Sequence, residues 1–141
     1  MGIPRGIRNN NPGNIDYNSN NKWHGQLPYD PSVESRFAVF DTPQNGIRAM
    51  AKLLLVYQDK HGLNTVDGII SRWAPSNENA TGAYIRAVKS QISQATGQSE
   101  KINLHNPQVL AIMVAAIIHH ENGDMPYSSD VIYAGVNMAM T

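Results

Sequence analysis

Pro107-Gln108-Val109-Leu110-Ala111-Ile112-Met113-Val114-Ala115-Ala116-Ile117-Ile118-His119-His120-Glu121-Asn122-Gly123 decides how the chain folds. Asn106 before Pro107 supplies a cap and then a proline at the first helical position. Gly123 supplies a stop. The residues from Val109 to Ile118 are apolar without interruption, so the helix is greasy all round rather than along one stripe. Such a helix has to be buried on most of its sides. It is far too short to cross a bilayer. The fold expected around it is a set of helices enclosing this one.

At its end the helix turns abruptly polar, with His119, His120, Glu121 and Asn122. A carboxylate there is unusual, because a helix C-terminus carries partial negative charge. Proximity to the core also disfavours the ionised form. A glutamic acid that keeps its proton near neutral pH is what glycosidic cleavage requires as general acid. On composition and spacing alone, Glu121 is equally well a solvated residue at a frayed helix end. Asn122-Gly123 is an ordinary helix stop.

The rest of the chain supplies further helices. Asp41-Thr42-Pro43 opens one that carries Ile47, Met50, Leu53, Leu54 and Tyr57 and stops at Gly62. Thr65 caps a short helix through Val66, Ile69, Ile70 and Trp73, which ends before Ala74-Pro75. Asn79 or Thr81 starts a helix through Tyr84, Ile85, Val88 and Ile92, ending near Gly97. Ser128 or Ser129 starts the last, through Val131, Ile132 and Val136. Residues 1–40 are dense in Asn, Pro and Gly and read as loops with one or two short strands, of which Arg36 to Phe40 is the best. The expected fold is mainly α, of the α+β kind. About five helices surround or include the buried one, with a small loop-and-strand lobe at the N-terminus, and residues 1–141 form a single domain.

Composition removes several function classes. Eleven basic side chains balance eleven acidic ones, and no basic stripe points to nucleic acid. There is no Cys, which excludes disulfide frameworks and thiol nucleophiles. His119 and His120 lie about 100° apart on a helix and cannot easily share one ion. No His-Glu-x-x-His is present, so no metal or other cofactor is expected. His24, His61 and His105 read as surface residues. Met1 to Gly6 has no apolar signal region, so a substrate outside the cytoplasm would need another route of delivery.

Several ordered stretches carry a resemblance. They are Arg5 to Ile15 (Arg-Gly-Ile-Arg-Asn-Asn-Asn-Pro-Gly-Asn-Ile), Trp23-His24-Gly25, Phe37 to Ala49, Arg72-Trp73-Ala74-Pro75 with Glu78-Asn79, Tyr84, and His120-Glu121-Asn122-Gly123. Together they resemble a phage and prophage family usually described as a virion or structural protein. The Asn10 to Ile15 segment, Trp23-x-Gly25, Phe37 to Thr42 and Ala80 to Tyr84 also look like parts of flagellar-type glucosaminidases. In those, as in lysozyme-like enzymes, the catalytic Glu ends an apolar helix that precedes the Asn-Asn segment. Here the matching helix, Val109 to Glu121, follows it. The resemblance therefore implies a circularly permuted lysozyme-like domain, with Asn10 and Glu121 facing one cleft.

It further implies a peptidoglycan-degrading enzyme. The activity would be that of a lytic transglycosylase, muramidase or glucosaminidase, acting on the MurNAc-GlcNAc strand with Glu121 as general acid and base. A hydrolase needs a second carboxylate, and the candidates are Glu34, Asp41, Asp30 and Asp16. Glu34 suits the role best by its position before the aromatic strand, and Asp41 reads as a helix cap. Without a working second acid, a single-acid lytic transglycosylase is favoured. Tyr84 would bond substrate or steady Glu121. Trp23, Asn10, Asn11, Asn14, His120 and Glu78 would contact substrate, and Trp73 reads as core. Each has a plainer reading: a core aromatic for Tyr84, turn-forming amides for the Asn residues, a helix start for Glu78. The implied partners are bacterial peptidoglycan and other phage virion or lysis proteins. The implied location is the virion, or the host cytoplasm with release to the periplasm. A non-catalytic virion component that binds wall glycan, or a wall endopeptidase, is the alternative.

Overall fold

The computed structural model describes residues 2–74 and 78–141, without the side chains of residues 78–81. Six helices occur among the described residues: α1 (Arg5–Arg8), α2 (Pro43–His61), α3 (Val66–Trp73), α4 (Glu78–Thr96), α5 (Pro107–Asn122) and α6 (Ser129–Met140). The protein is mainly helical.

Local chemistry fixes the helix ends. The side chains of Thr42, Thr65, Asn106 and Ser128 each accept a hydrogen bond from a backbone N–H in the first turn of α2, α3, α5 and α6. Gly62 and Gly123 close α2 and α5 in the left-handed conformation. Thr42 rather than Asp41 caps α2, and Asp41 instead accepts from the Asn45 side chain.

α5 is the buried rod that its composition demands. Val109, Leu110, Ala111, Met113, Val114, Ile117 and Ile118 are buried. The helix packs against α1, α2, α4 and α6. The largest helix–helix contact joins α2 to α6. Ile47, Met50 and Leu54 of α2 and Ile132 and Val136 of α6 belong to the same core as α5.

The front lobe departs from the expected strands. Residues 36–40 run extended, but pairing is confined to isolated antiparallel bridges, Asp16 with Phe37 and Gln26 with Phe40. On one side Tyr17 N donates to Arg36 O and Ala38 N to Ile15 O. On the other, Leu27 N donates to Val39 O and Asp41 N to Gly25 O. Side-chain amides take over where a ladder would continue. Asn11 Nδ2 donates to both Ile15 O and Ala38 O, and Asn10 Nδ2 to Phe40 O. Carbonyls satisfied in this way need no neighbouring strand. The short helix α1 was not expected from the sequence.

The lobe sits on α2 at Gly46. A Cβ there would lie 1.9 Å from the backbone oxygen of Asn10, so only glycine permits the approach. Gly46→Ala is expected to cost about 2 kcal/mol, a fall in Tm of roughly 6 °C. Thermal unfolding followed by circular dichroism measures it, and an unchanged Tm would mean that lobe and helix are not so close.

Candidate active site

The C-terminal end of α5 meets the front lobe at residues 12–14. Asn14 holds φ of 52°, a conformation that Asn tolerates better than most residues, and its Nδ2 donates to Glu121 Oε1 at 3.0 Å. Next in the chain, Asn122 Nδ2 donates to Pro12 O at 2.8 Å and to Ile118 O at 2.9 Å. Two bonds thus tie the helix end to one loop. The amide oxygens of Asn14 and Asn122 are buried without a donor. Both point toward Gly6, where a Cβ would stand 2.9 and 2.6 Å from them, so α1 can pass this junction only as glycine.

Glu121 is half-buried and lines a cavity of about 450 Å³ between the front lobe and the helices. Gly13, Asn14 and Ile15 form its floor beside the acid. Leu53, Tyr57 and Trp73 form an apolar wall. Trp73 Nε1 donates to Gly13 O at 3.1 Å, and the Trp73 and Tyr57 rings meet edge to face at 5.8 Å. The opposite rim carries Asp16 and Arg36, paired at 2.9 Å, with Asn18 and Asn21.

Of the residues singled out in the sequence, Asn14, Tyr84 and His120 gather around Glu121. The Tyr84 and His120 rings stack at 4.8 Å. Burial first, and then the charge of Glu121, raise the Tyr84 hydroxyl above its ordinary pKa. That hydroxyl is buried without a hydrogen-bond partner. Asn10 does not reach the cavity, because its amide is spent on Phe40 O. Asn14, and not Asn10, is the amide that faces Glu121. Asn11 is fully buried and holds the lobe together, so it has no surface to offer a substrate. Trp23 lines a separate, smaller cavity. The Glu78 side chain lies outside the described residues.

Glu34 also lies off this cavity. Its carboxylate is buried and receives Arg5 Nε at 2.8 Å and Arg5 Nη2 at 2.6 Å. Asn9 Nδ2 and the backbone N–H groups of Arg36 and Phe37 also donate to it. The Arg5 fork above all, with these N–H donors, holds its carboxyl far below the usual carboxylate range despite burial. Such a group is the structural pin of the lobe and is poorly placed to exchange protons.

No model of a known protein family matches the chain. It is 42% identical over 135 residues to Protein P5 of Pseudoalteromonas phage PM2, a match spanning 93% of this chain and 79% of that protein. The chain belongs to the phage Protein P5 family. A phage protein is what the motifs from Arg5 to Gly123 had led us to expect.

Sequence reasoning missed part of this Protein P5 family member's cavity. Tyr57 and Trp73 sit at helical spacing among apolar residues, which reads as core, and they do pack on the core while turning one edge to the cavity. Arg36 carried no signal beyond its neighbour Phe37, over whose ring it stacks at 4.7 Å. Asp16 is the second-carboxylate candidate that reaches the rim. Among the described residues, no three His, Asp or Glu side chains converge as metal ligands. No helix among them is long and apolar enough to cross a membrane.

The depressed acidity of Glu34 has a measurable sign. A carboxyl whose folded pKa lies below its unfolded value, about 4.3, stabilises the fold above that pH and ceases to do so as pH falls below it. Glu34→Gln should lower Tm by several degrees at neutral pH and flatten the fall in Tm on acidification below that value. Tm measured against pH tests this, and an unaltered acid limb would remove Glu34 from the role.

Proposed function

We propose that this protein cleaves the glycan strand of bacterial peptidoglycan, with Glu121 as general acid and then general base. The observation that carries the reading is a glutamic acid at the end of a buried apolar helix, clamped by Asn14 on the wall of a cavity between two lobes. Oε1 accepts from Asn14, so the reading assigns proton exchange with the substrate to Oε2. A half-buried acid on the wall of a cavity is a recurrent setting for acid–base chemistry. The rim amides, Asn18 and Asn21, offer both donors and acceptors to hydroxyl and N-acetyl groups.

The reaction we favour is that of a lytic transglycosylase. Glu121 gives its proton to the glycosidic oxygen, and the bond from that oxygen to the anomeric carbon breaks. The resulting carboxylate takes the proton of the sugar's own hydroxyl as that oxygen closes onto the anomeric carbon. The strand is cut, an anhydro ring forms, and Glu121 regains its proton. The engagement of Glu34 with Arg5 favours this single-acid route over a two-carboxylate hydrolase. In a muramidase or glucosaminidase, Asp16 would be the second carboxylate.

We further infer a lysozyme-like arrangement in permuted chain order. The support is that the acid at the end of α5 bonds the Asn segment that in the glucosaminidases follows such a helix. A virion location, with action on the wall from there, fits the phage relationship. A virion component that binds wall glycan without cutting it is the other reading. Its support is the exposed Asp16–Arg36 rim, which can bind without reacting.

Glu121→Gln should reduce clearing of isolated cell walls at least ~100-fold while leaving Tm within ~2 °C of the parent. Turbidity and mass spectrometry of the products decide the matter. Anhydro-muramic ends support the transglycosylase, reducing ends a hydrolase, and released peptides neither. Glycan binding without any new ends would leave the non-catalytic reading standing.

A further inference from the structure

The front lobe carries a second cavity of about 260 Å³. It is separated from the Glu121 cavity by the segment 16–21. Asp16 and Asn18 border the first cavity, Tyr17 and Ser19 the second, and Asn21 borders both. The segment is therefore a ridge with one side chain common to its two slopes.

The second cavity is walled by Tyr17, Trp23 and Tyr29. These rings contribute unequally to the core. Trp23 packs against it, whereas Tyr29 is 44% exposed. Yet Tyr29 is held still. Its ring stacks on Tyr17 at 4.2 Å, and its hydroxyl donates to Ser35 O at 2.9 Å. The Trp23 loop is pinned as well, its backbone N–H donating to Gln26 Oε1 at 3.1 Å. Trp23 Nε1 is buried with no acceptor. An aromatic surface that is immobilised but left wet gains little for the fold. It does spare a ligand the entropy of ordering it.

We propose that this cavity is a sugar-binding subsite that seats an N-acetylhexosamine unit of a strand lying across Asn21 from the reacting unit. The inference rests on the glycan reading above. The C–H face of a pyranose ring is flat and apolar and matches the Tyr29 and Trp23 surfaces, while Asn21, Gln26 and Lys22 supply polar partners for its hydroxyl and acetamido groups. A chain of sugars long enough to cross the ridge then engages both cavities at once, and the second contact forms as an intramolecular event.

The test is binding of chito-oligosaccharides, from the disaccharide upward, to the full chain carrying Glu121→Gln, followed by calorimetry. Affinity should rise by roughly five- to tenfold at the length that first spans the ridge, the scale of one good aromatic contact. Tyr29→Ala should abolish that step and leave the short oligomers unaffected, and Tyr29→Phe should retain it. Thermal unfolding of both variants, with Tm near the parent's, separates a lost contact from a lost fold. Affinity that is independent of length, or a step that survives Tyr29→Ala, overturns the subsite while the glycan reading stands. No binding at any length overturns the glycan reading and the subsite with it.

Discussion

A helix that is apolar on every face leaves the chain little choice. α5 can be stable only where other elements cover nearly all of it, and α1, α2, α4 and α6 do so. Covering it with helices exposes its polar end at the seam where the helices give way to the front lobe. Glu121 and Asn122 emerge there and meet residues 12–14. The placement of the acid thus follows from the burial of the residues before it.

The front lobe solves a different problem. Its few extended residues cannot form a sheet that would satisfy their own backbone. Side-chain amides of Asn10 and Asn11 therefore take the carbonyls, and one buried carboxylate, Glu34, takes two backbone N–H groups as well as Arg5. This explains the Asn density of the N-terminal region better than surface chemistry does. Asn18 to Asn21 combine both uses. Asn18 Oδ1 accepts from Asn20 N in a turn, and the Asn18 and Asn21 side chains border the Glu121 cavity.

What the sequence discloses divides along the range of the interactions. Helix caps at Thr65 and Asn106, and stops at Gly62 and Gly123, are set within a turn and readable residue by residue, whereas the sequence points to Asp41 where Thr42 caps α2 and leaves Ser128 and Ser129 open at the start of α6. The buried rod was readable because ten apolar residues admit one arrangement. The strand at residues 36–40 is over-read from the sequence, since a short apolar run cannot say whether a partner strand exists. Glu34 was misjudged because its meaning depends on Arg5, 29 residues away. The choice between Asn10 and Asn14 was invisible for the same reason. Both adopt positive φ in one loop, and only the packing shows which amide faces Glu121. Trp73 looked like core because helical spacing reports which face is buried, and not that an edge of the same ring meets a cavity.

The double attachment at the end of α5 has a mechanical corollary. Asn14 and Pro12 belong to one loop, and that loop also receives Trp73 from the far wall through Gly13. Acid, floor and aromatic wall are thereby fastened to the same three residues of one loop. Any substitution that shifts residues 12–14 would therefore be felt at the acid and at the aromatic wall together.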